Sequence, residues 1–326
     1  MESGPQFVIV SGALGSGKTT LLETVLASED ASDTAIIVNE AGEINIDGAV
    51  LSESARGTSM TTLSNGCVCC SMTSDLVTTV QDLVEFRRAA GQEIFSRIVL
   101  ECSGLSRPGP IVSSLQELAD LRLRLHLIAT YDCSRPAMET GDFEDAVAQL
   151  AGANTIVLTK VDLISSEKRD EVLQAVTAVN PMADIVNEIS ATVRARDAFR
   201  PPSNGDTVVR DIHCGVPERR RLLHPRIRVF RAKVDERLSW DSGLDWLENI
   251  AGALGDRLLR IKAIVPGENP NNRILLQSVG TTFSAPRRLI AGTTAPLGAV
   301  IIARDCGRQE LDEVATDHAV SWFDYR

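Results

Sequence analysis

Short runs of Val, Ile and Leu recur along the first part of the chain, separated by longer stretches in which apolar positions return every three or four residues. The runs are FVIVSG from Phe7, TAIIVN from Thr34, RIVLEC from Arg97, LRLHLIATYD from Leu123, NTIVLTK from Asn154 and ADIVNEIS from Ala183. A strand that is apolar on nearly every residue is covered on both faces, and the amphipathic stretches between such runs supply crossover helices. The pattern therefore predicts an α/β fold built on a doubly wound, mostly parallel sheet.

Beyond Arg200 that rhythm stops. RPPSNGDTVVRDIHCGVPERRRLLHPR breaks every period with Pro, Gly, Asn or charge, which predicts a linker over 201–225. After it, RIRVFRAKV, RLLRIKAIV, NRILLQSVG and GAVIIARD read as strands and WDSGLDWLENIAG as a helix, with a last helix from Gln309 towards Ala319. Residues 226–326 are thus expected to form a second, smaller α+β domain, following a first domain of residues 1–200.

Composition narrows the partners. The chain has 326 residues, and 33 Lys plus Arg against 44 Asp plus Glu leave a net charge of -11, which argues against a groove for nucleic acid. No run of 18 apolar residues and no charged-then-apolar leader at Met1 is readable, so no membrane span is expected and a cytoplasmic location is. Seven cysteines, an odd number with three nearly adjacent, suit reduced thiols better than a disulfide framework, and four scattered histidines make no metal tract.

The first apolar run leads into GALGSGKT, the pattern G-x-x-x-x-G-K-T over Gly12–Thr19, set between a strand and a helix. Backbone amides from Gly12 through Gly15, Ser16 and Gly17 to Lys18 can cradle phosphates at the positive end of the helix. Lys18 can reach the outer phosphate oxygens and Thr19 can ligate Mg²⁺. RIVLECSG ends a later strand on Glu101 with Gly104 three residues on, resembling the D-x-x-G element of GTPases. The carboxylate would hold Mg²⁺ and the Gly104 amide would face the terminal phosphate. In TIVLTKVDL the segment T-K-x-D, with Thr159, Lys160 and Asp162, resembles the guanine-reading N-K-x-D. A carboxylate at Asp162 accepts from guanine N1 and its exocyclic amine but is left unpaired by adenine, which makes GTP the expected nucleotide. Ser190 and Ala191 stand where an S-A element would cap the base.

LSNGCVCC crowds Cys67, Cys69 and Cys70 into four residues, ahead of an amphipathic helix from Ser71. Packing thiols, a redox pair and metal ligands are the three readings. Crowding beside Asn65 and Gly66 is unusual for packing, and soft sulfur donors with an open fourth position suit a transferable transition ion, Zn²⁺ first and Co²⁺ next. Between the phosphate loop and these thiols, VNEAGEINID carries Glu40, Glu43 and Asp47. These carboxylates can serve Mg²⁺, the hydrolytic water or the thiolate-bound metal, or form a solvated acidic loop.

GALGSGKTT, VNEAGEINID, LSNGCVCCS, ECSGLSRPGPI and TKVD, in this order, resemble the CobW-type metallochaperone GTPases, relatives of the hydrogenase and urease maturation GTPases. The resemblance runs the length of the chain and implies a GTP-hydrolysing metallochaperone or metalloenzyme activator. It implies Gly15, Lys18, Thr19 and Thr20 on phosphates and Mg²⁺, and Glu101 as the Walker B-like carboxylate. Lys18, Glu101 and Glu40 are then the catalytic candidates. Lys160 and Asp162 would read guanine, and Cys67, Cys69 and Cys70 would hold the metal. The implied partner is a client metalloenzyme, with a homodimer as the candidate assembly. Many such proteins carry a histidine-rich stretch near the domain boundary, where this chain has only His213 and His224, so no storage role is implied.

Overall fold

A computed structural model describes residues 4–28, 33–38, 59–62, 72–135, 138, 143–201, 226–269, 272–289, 296–314 and 319–323, with the backbone alone at 59–62 and 72–75. The chain divides into two compact units, Met1–Val172 with Asp184–Pro202, and Leu173–Ala183 with Ser203–Arg326.

The first unit is built on seven described strands: β1 (Gln6–Gly12), β2 (Thr34–Val38), β3 (Ser59–Thr62), β4 (Arg97–Glu101), β5 (Arg124–Asp132), β6 (Thr155–Thr159) and β7 (Asp184–Val186). Their order across the sheet is β3-β2-β4-β1-β5-β6-β7, and every described pairing is parallel. Six of these strands coincide with the apolar runs. The additional one, β3, has the sequence SMTT at the sheet edge, too short and too polar to announce itself as a buried strand.

The described α-helices of this unit are α1 (Lys18–Ser28), α2 (Met72–Ala89), α3 (Pro108–Ser114), α4 (Phe143–Gly152), the first half of α5 (Ser166–Val179), whose residues from Leu173 belong to the second unit, and α6 (Ala191–Ala198). Phe7, Ile9, Ile37, Leu100, Ile128 and Leu158 are almost wholly excluded from water, as continuous apolar strands between two helical layers require. Leu21, Leu22, Val25 and Leu26 of α1 join Ala195, Ala198 and Phe199 at α6 in one core cluster. Strand order reverses around β1, so the loop after β1 lies at the switch point where such sheets bind ligands.

A polar chain crosses this apolar sheet. Arg97 Nε donates to Gln6 Oε1 at 3.3 Å, Gln6 Nε2 lies 3.3 Å from His126 Nδ1, and His126 Nε2 lies 2.9 Å from Thr155 Oγ1. Arginine can only donate, so it fixes the glutamine amide, whose N–H then donates to Nδ1 and leaves the imidazole neutral with its proton on Nε2. Burial, aided by the positive charge of Arg97, pushes the His126 pKa down to about 4. The unfolded imidazole takes its proton first, near pH 6.5, so stability is full above that pH and is lost as pH falls towards 4. The loss is on the order of 3 kcal/mol. In His126→Gln, denaturant titrations at a series of pH values should show a shallower decline over this interval than in the parent protein. Equal slopes would remove the histidine from the account.

The second unit holds strands β8 (Ile227–Val234), β9 (Leu258–Pro266), β10 (Arg273–Val279), β11 (Thr282–Phe283), β12 (Arg287–Arg288), β13 (Gly298–Arg304) and β14 (Val320–Trp322). They form an antiparallel sheet in the order β11-β10-β9-β13-β8-β14, with β12 on β10. Helix α7 (Trp240–Leu254) buries Trp246, Leu247 and Ile250, and Trp246 meets Trp322 edge-on at 6.0 Å. The last helix, α8, is described over Arg308–Val314, and Val320 pairs with Val234 of β8. An α+β unit thus follows an α/β one. Among the described residues, no helix is long and apolar enough to cross a membrane.

Candidate functional site

The turn from β1 into α1 is held by hydroxyls from two strands, β5 and β6, and from the loop itself. Thr130 Oγ1 donates to Ser11 O at 3.2 Å, so Ser16 Oγ, 2.7 Å from Thr130 Oγ1, is the donor in that pair. Thr159 Oγ1 donates to Ser16 O at 2.8 Å and to Tyr131 O at 3.2 Å, tying the end of β6 to the loop. The Ser16 hydroxyl is therefore buried and committed to structure. Gly12 has φ 142, and a Cβ there would lie 2.2 Å from Thr130 Oγ1, so no other residue fits. Gly15 and Gly17 also have positive φ, 74 and 91, the left-handed conformations from which anion-binding backbone nests are built.

Lys18 is buried, and its Nζ donates to Gly12 O at 2.9 Å and Ala13 O at 3.1 Å, folding the ammonium back over the loop. Thr19 Oγ1 donates to Glu101 Oε1 at 2.7 Å, joining the first turn of α1 to the end of β4. Glu101 is itself 4% exposed. Thr20 is exposed, and its carbonyl accepts from Thr24 Oγ1 at 2.7 Å. Beyond Glu101, burial pushes the Cys102 thiol up to about 12, with Lys18 pulling it down and Glu101 raising it further. A thiol so held stays protonated and packs. Gly104 touches the loop from the other side: a Cβ there would lie 2.6 Å from Leu14 N.

At the neighbouring strand ends, Lys160 adopts φ 53 and sends its Nζ 2.5 Å from Asp132 Oδ2. Asp132 Oδ1 accepts from Ser134 N at 2.9 Å, Ser134 Oγ at 2.6 Å and Arg135 N at 3.2 Å. Burial alone would raise the Asp132 pKa. The bonds from Lys160 and Ser134 outweigh it and hold the carboxyl below its ordinary range. Asp162 follows in a short 3-10 turn, Val161–Leu163, with its side chain exposed. Ser190 caps α6, its Oγ accepting from Val193 N at 3.5 Å.

Gly12–Thr20, Glu101, Gly104, Thr159, Lys160 and Asp162 thus gather at the C-terminal edge of one parallel sheet. Glu40, Glu43, Asp47, Cys67, Cys69 and Cys70 lie outside the described residues, as do 202–225. Among the described residues, no three His, Cys, Asp or Glu side chains are grouped to hold a metal. Sequence reasoning missed Asp132, whose only signal is an acidic residue closing a buried strand. It also missed Gln149, a lone amide in the apolar face of α4.

The CobW/HypB/UreG nucleotide-binding domain matches residues 6–187 of the chain. The zinc chaperone YjiA of Escherichia coli (strain K12) is 29% identical over a match covering 85% of this chain and 86% of that protein. The zinc chaperone CobW of Pseudomonas aeruginosa is 29% identical, with 94% of this chain and 88% of that protein covered. Zinc-regulated GTPase metalloprotein activator 1 of Dictyostelium discoideum is also 29% identical, covering 58% of this chain and 46% of its own length. The crystal structure of Zn(II)-bound YjiA GTPase from E. coli superimposes with a TM-score of 0.65 at 20% identity, over 96% of this chain and 98% of that one, a likeness of fold. Because the family match spans more than half of the 326 residues, this chain belongs to the CobW/HypB/UreG family through its nucleotide-binding domain.

Proposed function

We propose that the chain is a GTP-hydrolysing metallochaperone that takes a transition ion, zinc first and cobalt next, on the thiolates of Cys67, Cys69 and Cys70 and passes it to a client metalloenzyme. In this reading residues 1–200 form the GTPase domain with the C-x-C-C segment, 201–225 a linker and 226–326 the second domain. The names carried by the relatives support the activity and the metal.

The observation that carries the reading is the register of the sheet. Val10, Glu101, Val38 and Thr62 stand in one row across β1, β4, β2 and β3. At the usual strand spacing, Thr62 is two strands, ~10 Å, from Glu101. The chain leaves β2 at Val38 towards Glu40 and leaves β3 at Thr62 towards Cys67, both on the edge that bears the phosphate loop. Residues 40–70 would then form one switch that serves both nucleotide and thiolates.

The Thr19 hydroxyl and the Glu101 carboxylate are a pair of hard oxygen donors of the kind Mg²⁺ takes, and so fit that ion. Thr19 and Glu101 would hold such an ion, and it would supply positive charge that offsets the negative charge developing on the phosphates. The chain's own residues do the rest. Amides of Gly12, Gly15, Ser16, Gly17 and Lys18 bind phosphate oxygens, with Thr20 beside them, and the Lys18 ammonium follows the terminal groups. Gly104 N–H faces the terminal phosphate. Asp162 accepts from guanine, the Lys160 stem covers the base, and Thr159 braces the loop from behind. Glu40 orients the attacking water.

In Cys67→Ala with Cys69→Ala, bound zinc should fall from about one ion per chain to none, while GTP affinity stays within about twofold, because a three-thiolate site does not survive on one ligand. Elemental analysis and equilibrium dialysis of the reduced protein check this. Parental zinc content in the double variant would refute the cysteine assignment; a reduced parent protein that takes up no metal while GTP still changes its affinity for a client would leave a nucleotide-gated interaction protein without metal transfer as the surviving account.

A further inference from the structure

Downstream of Glu101 the chain makes a tight turn, Ser103–Ser106. Ser106 N donates to Ser103 O at 3.1 Å, and the two side-chain hydroxyls are 2.8 Å apart. Gly104 lies inside this turn against Leu14 of the phosphate loop, and Leu105 at its tip is exposed. The turn rests on one side chain of α4. Gln149 Nε2 donates to Gly104 O and to Ser106 O, each at 3.0 Å.

Gln149 is 2% exposed, on a helix face whose other members are Ala146, Val147, Leu150 and Ala151. An amide in that position costs free energy unless its donors are satisfied, so packing alone would favour an aliphatic residue there. What the amide adds is geometry. The two N–H groups of a planar amide diverge at a fixed angle, so accepting both of them sets the mutual orientation of the Gly104 and Ser106 carbonyls, and with it the tilt of the turn. One helical turn earlier, Asp145 pairs with Arg107 at 2.6 Å, a second and more exposed grip on the same segment.

We propose that Gln149 is a positioning residue for GTP hydrolysis. It holds the Ser103–Ser106 turn so that Gly104 N–H is aimed at the terminal phosphate, and it carries a change of that turn into α4. This rests on the reading above in which Gly104 senses the terminal phosphate. Gln149 does not itself touch nucleotide, so its influence is confined to states in which the terminal phosphate is present.

Gln149→Met keeps the length of the side chain and removes both donors. In the full-length protein with Mg²⁺, affinity for the non-hydrolysable GTP analogue GppNHp and single-turnover hydrolysis of GTP should each fall about tenfold, the scale set by buried carbonyls left without donors. GDP affinity should stay within about twofold. Equal weakening of GDP and GppNHp, or no change in either, would overturn the proposal, since a merely structural role predicts no such split. The Gly104 amide resonance of the parent protein separates the two layers. If it is identical in the GDP and GppNHp forms, the reading of Gly104 fails and this proposal falls with it. If it differs while Gln149→Met discriminates normally, only the role of Gln149 is lost. Should the variant not fold, the Gln149 side-chain amide signals of the parent protein decide: they should differ between the two nucleotide forms, and identical signals overturn the proposal.

Discussion

Lys18→Ala is expected to lower single-turnover GTP hydrolysis by about 10²- to 10³-fold, the usual loss when one preorganised donor to developing negative charge is removed. The ammonium is buried and bonded to two loop carbonyls within reach of the phosphate path, so it needs little reorganisation to follow a phosphate oxygen. Alanine also strips Gly12 O and Ala13 O of these donors. Circular dichroism should therefore accompany the phosphate-release assay, to separate a collapsed loop from lost charge stabilisation. Arginine should not restore activity, because its planar fork does not replace a compact ammonium in this curled position. Hydrolysis by a folded Lys18→Ala protein within tenfold of the parent would sink the assignment of Lys18.

The second large effect concerns the base. Asp162→Asn should exchange guanine preference for xanthine, because guanine offers two donors, N1–H and the exocyclic amine, whereas xanthine offers N1–H and a carbonyl. Asparagine matches the second pattern and mismatches the first. The GTP-to-XTP affinity ratio should move by at least about 10²-fold, as buried polar groups lose and gain their partners. The turn that presents Asp162 is anchored by Lys160 on Asp132, so the substitution acts on recognition without loosening its support. Competition of XTP and GTP for a fluorescent nucleotide measures the ratio, and an unchanged ratio would return Asp162 to the status of a surface carboxylate.

The α/β fold was legible because its inner strands are covered on both faces, which forces Val, Ile and Leu into runs such as FVIVSG and TIVLT. β3 and β14 were not legible, since SMTT and VSW are short edge strands with no run of Val, Ile or Leu to mark them. Sites written into contiguous sequence, Gly12–Thr19 and Lys160 to Asp162, could be found because a phosphate or a base demands particular residues at fixed spacing. Asp132 and Gln149 could not. Each acts on a segment 28 or more positions away in sequence, Lys160 for the one and Gly104 for the other, and only the parallel register and the packing of α4 bring them together. The family resemblance reached the nucleotide-binding domain by the same contiguous motifs.

The borders of the parallel sheet carry a further consequence. Its inner strands are apolar and five to nine residues long, the kind of template that recruits other chains when left uncovered. Among the described residues its outermost members are SMTT, four residues, and DIV, three residues. Edges this short offer an incoming strand too few backbone partners to propagate a fibril. Short edges of this kind guard the parallel sheet against edge-to-edge association of folded copies.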